Sequence, residues 1–215
     1  MNTSENAIEI FDKFAYEYQE KFMNVDMYAH SLNFFCESIP KKNAEILEIG
    51  CGPGNITKFL LEKRTDFKIL ATDLAPRMLR LCEKNNPSAE VQILDCRNIL
   101  SLNKKFDAVI GGFCLPYLSK EDVFKLIKNV SQILNPNGIF YFSTMEDDYK
   151  ASGYKKGSSG DEMYMYFHEK DYLVQELKKN NFKLKKWERI EYDSPDSKTV
   201  DLIIIASKKF HDENK

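Results

Sequence analysis

The chain has 215 residues, 30% of them charged, and a formal charge of −2. That length suits one domain with a real core, and the near-balance of charge excludes the basic footprint of a nucleic-acid binder. No apolar run reaches bilayer length, and the start, Met-Asn-Thr-Ser-Glu-Asn, lacks the basic and apolar regions of a signal peptide. Cys36, Cys51, Cys82, Cys96 and Cys114 are odd in number and form no C-x-x-C, so they read as reduced thiols of a cytoplasmic protein rather than a disulfide frame or metal site.

Ile8, Phe11, Ala15, Tyr18 and Phe22 recur at three- and four-residue steps and predict one amphipathic helix. Tyr28, Leu32, Phe35 and Ile39 repeat the pattern, and Pro40 ends it. A helical cap over residues 1–43 is therefore expected ahead of the sheet. From Glu45 the pattern alternates. Strands are predicted at Glu45–Ile49, Phe67–Thr72, Ala89–Leu94, Phe106–Gly111 and Gly138–Ser143, and helices at Asn55–Lys63, Pro76–Asn85 and Lys120–Leu134. Pro76 suits the first position of its helix, and Asn-Pro-Asn-Gly after Leu134 breaks the last one. Such alternation implies a parallel sheet with helices on both faces. Met145–Gly160 is polar and rich in Gly and Ser, so a lid loop is expected over 145–166. A helix at Glu169–Asn180 and strands at Phe182–Tyr192 and Thr199–Ser207 complete a core over 44–208. The short link Asp193–Lys198 permits only an antiparallel pair. No repeat or second core is visible, so one domain over 1–215 is expected, as a monomer or homodimer.

The centre of the pattern is Ile46–Thr57, Ile-Leu-Glu-Ile-Gly-Cys-Gly-Pro-Gly-Asn-Ile-Thr. Strand, glycine turn and helix form the ligand cradle of open α/β sheets, with open amides at the helix start. A dinucleotide site wants G-x-G-x-x-G, which needs glycine at 55, where Asn55 stands. Asp73 follows Gly54 by the interval at which a second-strand carboxylate accepts hydrogen bonds from ribose hydroxyls. Asp95, after the third strand, is placed to accept from an exocyclic adenine amine, with the amide of Cys96 free to donate to the ring. Gly111 and Gly112 end the fourth strand and leave room for a ligand at the edge where such sheets bind.

The spacing Glu48-x-Gly50-x-Gly52-x-Gly54 resembles motif I of the class I S-adenosylmethionine-dependent methyltransferases, and the resemblance runs from the lead-in Phe11–Tyr18 through the terminal hairpin. It implies a Rossmann-like α/β fold, a seven-stranded sheet in the order 3-2-1-4-5-7-6 with strand seven antiparallel. It also implies S-adenosylmethionine as cofactor. Tyr18, Glu48, Gly50, Cys51 and Gly52 would then hold the methionine side and Asp73 the ribose. Leu74 and Met78 would wall the adenine beside Asp95 and Cys96, and backbone at Gly111, Gly112 and Phe113 would meet the methionyl amine.

The expected reaction is methyl transfer to a small-molecule acceptor. A base is needed only where that acceptor arrives protonated. His30, His168 and Tyr117 are the candidates, and Tyr16, Tyr28, Tyr154 and Tyr166 could join Tyr18 and Tyr117 around the acceptor. Two other readings remain open at this point: a cofactor-binding sensor or partner subunit, and a nicotinamide oxidoreductase, against which Asn55 and the terminal hairpin argue.

Overall fold

The computed structural model describes residues 3–156, 160–194 and 197–209. Helices α1 (Thr3–Lys13), α2 (Ala15–Phe22) and α3 (Ala29–Glu37) precede the sheet. The first two form a kinked rod rather than the single helix predicted. Phe14 leaves helical geometry (φ −105°, ψ 27°), yet its amide still bonds Ile10 and its carbonyl still receives Tyr18. The kink separates the two halves of the apolar stripe. Ala15 is buried, while Phe22 lies 40% exposed.

The chain then alternates β1 (Glu45–Ile49), α4 (Asn55–Lys63), β2 (Lys68–Asp73), α5 (Pro76–Asn85), β3 (Glu90–Ile93), β4 (Phe106–Gly111), α6 (Lys120–Ile133) and β5 (Leu134–Met145). Ser119 caps α6 by accepting the Asp122 amide at 3.2 Å. Strand β5 begins earlier than predicted. Leu134 pairs with Phe106, and the ladder resumes only at Ile139 opposite Ala108, so Asn-Pro-Asn-Gly forms a bulge instead of a break.

Between β5 and α7 (Lys170–Lys179), strands β6 (Gly153–Lys156) and β7 (Glu162–Met165) pair antiparallel in a separate two-stranded sheet. The expected lid loop is therefore in part a hairpin, and residues 157–159 at its tip lie outside the described residues. Tyr154 and Tyr164 face each other across it, edge to face at 5.3 Å, a cross-strand pair of the kind that stabilises short hairpins. Strands β8 (Phe182–Ser194) and β9 (Ser197–Lys208) form the terminal antiparallel pair.

The main sheet runs β3-β2-β1-β4-β5-β9-β8, parallel through β5 with β9 antiparallel to it. This is the expected order, with β9 and β8 as the seventh and sixth strands of the sheet. Alternate residues supply two cores. Leu47, Val109, Phe140, Phe142 and Ile204 face α6 and α7, and Ile46, Ala108, Ile110, Tyr141 and Ile203 face α3, α4 and α5. Each such fully buried Leu, Ile or Phe contributes roughly 1.5–3 kcal/mol. The two layers hold the carboxyl ends of β1, β2 and β4 level, and the site forms there.

Candidate functional site

The turn between β1 and α4 carries positive φ at Gly50 (65°), Gly52 (53°) and Gly54 (82°). At Gly54 the requirement is doubled. A Cβ there would stand 2.2 Å from Asn86 Nδ2 and 2.7 Å from Cys82 Sγ, so the turn packs directly on α5. At Gly52 a Cβ would meet nothing nearer than Tyr18 Cε1 at 3.8 Å, and the backbone faces open space.

Asp73 closes the turn from the neighbouring strand. Its Oδ2 accepts the Gly52 amide and its Oδ1 the Ala75 amide, each at 2.9 Å. Burial pushes its carboxyl pKa upward, against the opposing pull of those amides. The Leu74 amide bonds the carboxyl as well, so an ionised Asp73 keeps about one of its roughly four acceptor positions, enough for a hydroxyl.

Asp95 differs. Arg97 gives its amide and Nε to Oδ1, and Nε and Nη2 to Oδ2, at 2.6–2.9 Å. These bonds hold the carboxyl below its ordinary range despite partial burial. For Asp95 to accept an adenine amine as expected, Arg97 must give up a bond. Arg97 is a site residue that sequence reasoning missed, although Asp-Cys-Arg showed it two positions away.

A cavity of about 160 Å³ runs along these strand ends. Of the expected residues it gathers Tyr18, Gly50, Gly52, Asp73, Leu74, Met78, Asp95, Cys96, Gly112, Phe113 and Tyr117. Ala7, Ile8 and Phe11 of α1 form a further wall; the sequence pattern placed Ile8 and Phe11 on the apolar face of a helix and did not single out Ala7. A second compartment of about 50 Å³ shares Tyr18, Gly50, Gly52, Gly112 and Phe113 with the first and adds Tyr28, Cys51, Asn55, Tyr141 and Ser143. Phe113 lines both. Its backbone holds a positive φ of 55°, its amide donates to Ser143 Oγ at 3.0 Å, and its ring lies 5.3 Å from that of Tyr28.

Several expected residues sit elsewhere. Glu48 is buried beneath the turn, where Thr57 Oγ1 donates to it at 2.5 Å. Burial lifts its pKa to about 8. It lines neither compartment. Gly111 also lies off both, because a Cβ there would meet Ile49 at 2.9 Å and Cys114 Sγ at 3.0 Å. Its role in the structure is close packing.

His30 is a surface residue, 3.1 Å from Glu188. His168 is fully buried, with Nδ1 2.6 Å from Tyr172 Oη and Nε2 3.0 Å from the Leu115 carbonyl. Burial pushes its pKa down to about 4. Neither histidine reaches either compartment, which corrects their candidacy as bases. Tyr16 and Tyr154 are more than half exposed, and neither they nor Tyr166 line a compartment. Among the described residues no cluster of three or more His, Cys, Asp or Glu is placed to hold a metal, and no helix is long and apolar enough to cross a membrane.

A glycine turn after the first strand, a carboxylate after the second and a cavity along the strand ends have the layout in which open α/β sheets bind ligands. Residues 46–138 match the methyltransferase domain family. That match covers less than half of the chain, and both it and the fold are similar to those of the class I, S-adenosylmethionine-dependent methyltransferases.

Malonyl-[acyl-carrier protein] O-methyltransferase of Acetivibrio thermocellus is 33% identical over 106 residues, 48% of this chain and 36% of that protein. The protein of the same name from Priestia megaterium is 28% identical over 179 residues, 75% of this chain and 62% of that protein. The chain thus spans less than two thirds of these curated relatives. An S-adenosylmethionine-dependent methyltransferase from Clostridium acetobutylicum shares the fold, with a TM-score of 0.71 at 17% identity over 94% of this chain and all of that one.

Proposed function

We propose that the chain transfers a methyl group from S-adenosylmethionine to a small-molecule acceptor by in-line displacement. The observation that carries this reading is Asp73, tied to the Gly52 turn and lining a cavity that shares Tyr18, Gly50, Gly52, Gly112 and Phe113 with a second compartment. The bound sulfonium supplies an already activated methyl carbon. Asp73 would hold the ribose hydroxyls, and Leu74 and Met78 the adenine face. The backbone of Gly50 and Phe113 would fix the amino-acid end, and Tyr18 and Phe11 would keep water out. Alignment of the acceptor supplies the acceleration. Neither the overall charge nor the lining of the second compartment, which holds no Lys, Arg, His, Asp or Glu, favours a polyanionic acceptor. The five thiols are free, in keeping with a cytoplasmic setting.

Calorimetric titration with S-adenosylmethionine and S-adenosylhomocysteine tests the cofactor, and transfer of labelled methyl to an acceptor panel tests the reaction. Binding with turnover is expected. Absence of binding overturns the reading, and binding without turnover across the panel converts it to that of a cofactor-binding sensor or partner subunit.

A further inference from the structure

We propose that the second compartment takes a primary or secondary amine as methyl acceptor, and that Tyr28, held by Asp201, receives the proton its nitrogen gives up. This rests on the methyl-transfer reading above.

With His30 and His168 outside the site, the compartment has to be read from its own wall. Its rings are Tyr18, Tyr28, Phe113 and Tyr141. Asn55, Ser143 and Tyr141 on it are already engaged: Asn55 Nδ2 donates to the Phe22 carbonyl at 2.9 Å, Ser143 Oγ accepts the Phe113 amide, and Tyr141 Oη lies 3.2 Å from Ser31 Oγ. Tyr28 is different, because its hydroxyl leads to a charge. Tyr28 Oη donates to Asp201 Oδ2 at 2.6 Å, and Tyr192 Oη donates to Oδ1 at 3.3 Å.

Asp201 is 1% exposed. In the β5–β9 ladder it pairs with Met145, as Ile203 pairs with Ser143 and Ile205 with Tyr141, so it lies on the same sheet face as the two β5 residues of the wall. Among the described residues no Lys, Arg or His forms an ion pair with it. A buried carboxylate with two neutral donors and no cation favours a positive guest beside it, and the aromatic faces of Tyr28 and Phe113 favour the same guest. A carboxylate acceptor would meet the opposite field, with no basic side chain in the lining to pair it.

The chemistry balances. Tyr28 uses its proton toward Asp201 and keeps lone pairs to accept an N–H. An ammonium gives a proton to Tyr28 Oη as the phenolic proton moves to Asp201 Oδ2. The freed nitrogen lone pair forms the N–C bond while the methyl carbon's bond to sulfur breaks, and that electron pair stays on sulfur. Tyr192, 38% exposed, then offers the proton a path to solvent. Tyr28 is the residue that touches the acceptor, and Asp201 is a positioning residue acting through it.

The test uses n-propylamine, 1-propanol and sodium propionate, which differ in the nucleophile. Binding to the protein loaded with S-adenosylhomocysteine is read by ligand-observed NMR, and methyl transfer by mass spectrometry. Propylamine should bind and be methylated in preference to the other two. Tyr28→Phe and Asp201→Asn should each lower kcat for propylamine by about 10²-fold or more with cofactor affinity unchanged. The double variant should be no slower than the worse single one, as expected for groups acting as a unit.

Propionate or propanol preferred over propylamine overturns the inference. So does either variant with unchanged kcat, additive losses, or losses matched by weakened cofactor binding, which would make the pair a support of the cofactor floor. Cofactor binding by the wild type, measured first, separates the two levels: a chain that binds cofactor but rejects propylamine overturns this inference alone, and a chain that binds none overturns both.

Discussion

Asp73 and Gly52 form one unit: the carboxylate that ends β2 accepts, at 2.9 Å, the amide of the turn that leaves β1. The ligand-facing side of the turn is thus set by the neighbouring strand. Asp73→Ala removes both that tie and the proposed ribose contact. Hydrogen bonds to a charged group contribute about 1.5–3 kcal/mol each, so affinity for S-adenosylmethionine should fall at least tenfold by calorimetry. Unchanged affinity would remove Asp73 from the site.

Asp95 should matter less. Its two oxygens are occupied by Arg97, so Asp95→Ala should weaken cofactor binding by a smaller factor than Asp73→Ala in the same titration. An equal or larger loss would mean that Arg97 yields its bonds to the ligand.

Two neighbouring glycines should separate stability from binding. Both hold positive φ, which costs a side-chain-bearing residue about 1–2 kcal/mol. Gly54→Ala adds a clash with Asn86 and Cys82, so its melting temperature should drop by more than the roughly 2–4 °C that 1 kcal/mol produces in a chain of this size. Gly52→Ala places a methyl in open space near Tyr18. It should melt closer to wild type yet bind cofactor more weakly. A Gly52→Ala variant with the larger thermal loss would contradict this division.

Glu48 makes stability depend on pH in an uncommon direction. Its folded pKa of about 8 stands above the ordinary 4.5, so the folded state holds this proton more tightly. Its contribution is complete below about pH 4.5 and is lost as pH rises toward 8. Glu48→Gln keeps an acceptor for Thr57 and removes the titration. The difference in melting temperature should turn in favour of the glutamine variant between pH 5 and 8, and a constant difference across that range would refute the buried, protonated carboxyl.

His168 acts from the other side. Its pKa, lowered to about 4 from 6.5, makes its contribution present above pH 6.5 and lost as pH falls toward 4. His168→Gln should flatten the acid limb of the melting profile, with little effect on cofactor affinity. A loss of methyl transfer with unchanged stability would return this residue to the chemistry.

The parts legible in the sequence are those governed by neighbours in the chain. Helices α4 and α5 begin where Gly54 and Pro76 place them, and Asp73 stood out by its distance from the turn. The β6–β7 hairpin did not, because four-residue strands carry too little periodicity and their support comes from pairs such as Tyr154 with Tyr164. The occupation of Asp95 by Arg97 depends on a side-chain rotamer that spacing does not encode. The histidines stood out by residue type alone, and burial or surface position decided against them. Tyr28 and Asp201 lie 173 residues apart, and only the laying of β9 against β5 brings them together.

The first helix of the chain supplies Ala7, Ile8 and Phe11 to the cavity wall, and its far end is fastened where Asp12 Oδ1 accepts the Arg77 amide at 2.6 Å and Lys13 reaches Asp161 at 3.5 Å. A ligand in the cavity therefore acts as a clamp on that helix. By mass action, whatever binds the closed form resists its opening by RT ln(1 + [L]/Kd). Proteolytic trimming of residues 3–13 should slow as ligand fills the cavity, and ligand departure should quicken when the fastening at Asp12 is cut. The docking of α1 and the occupancy of the cavity are linked equilibria, and either can be followed by watching the other.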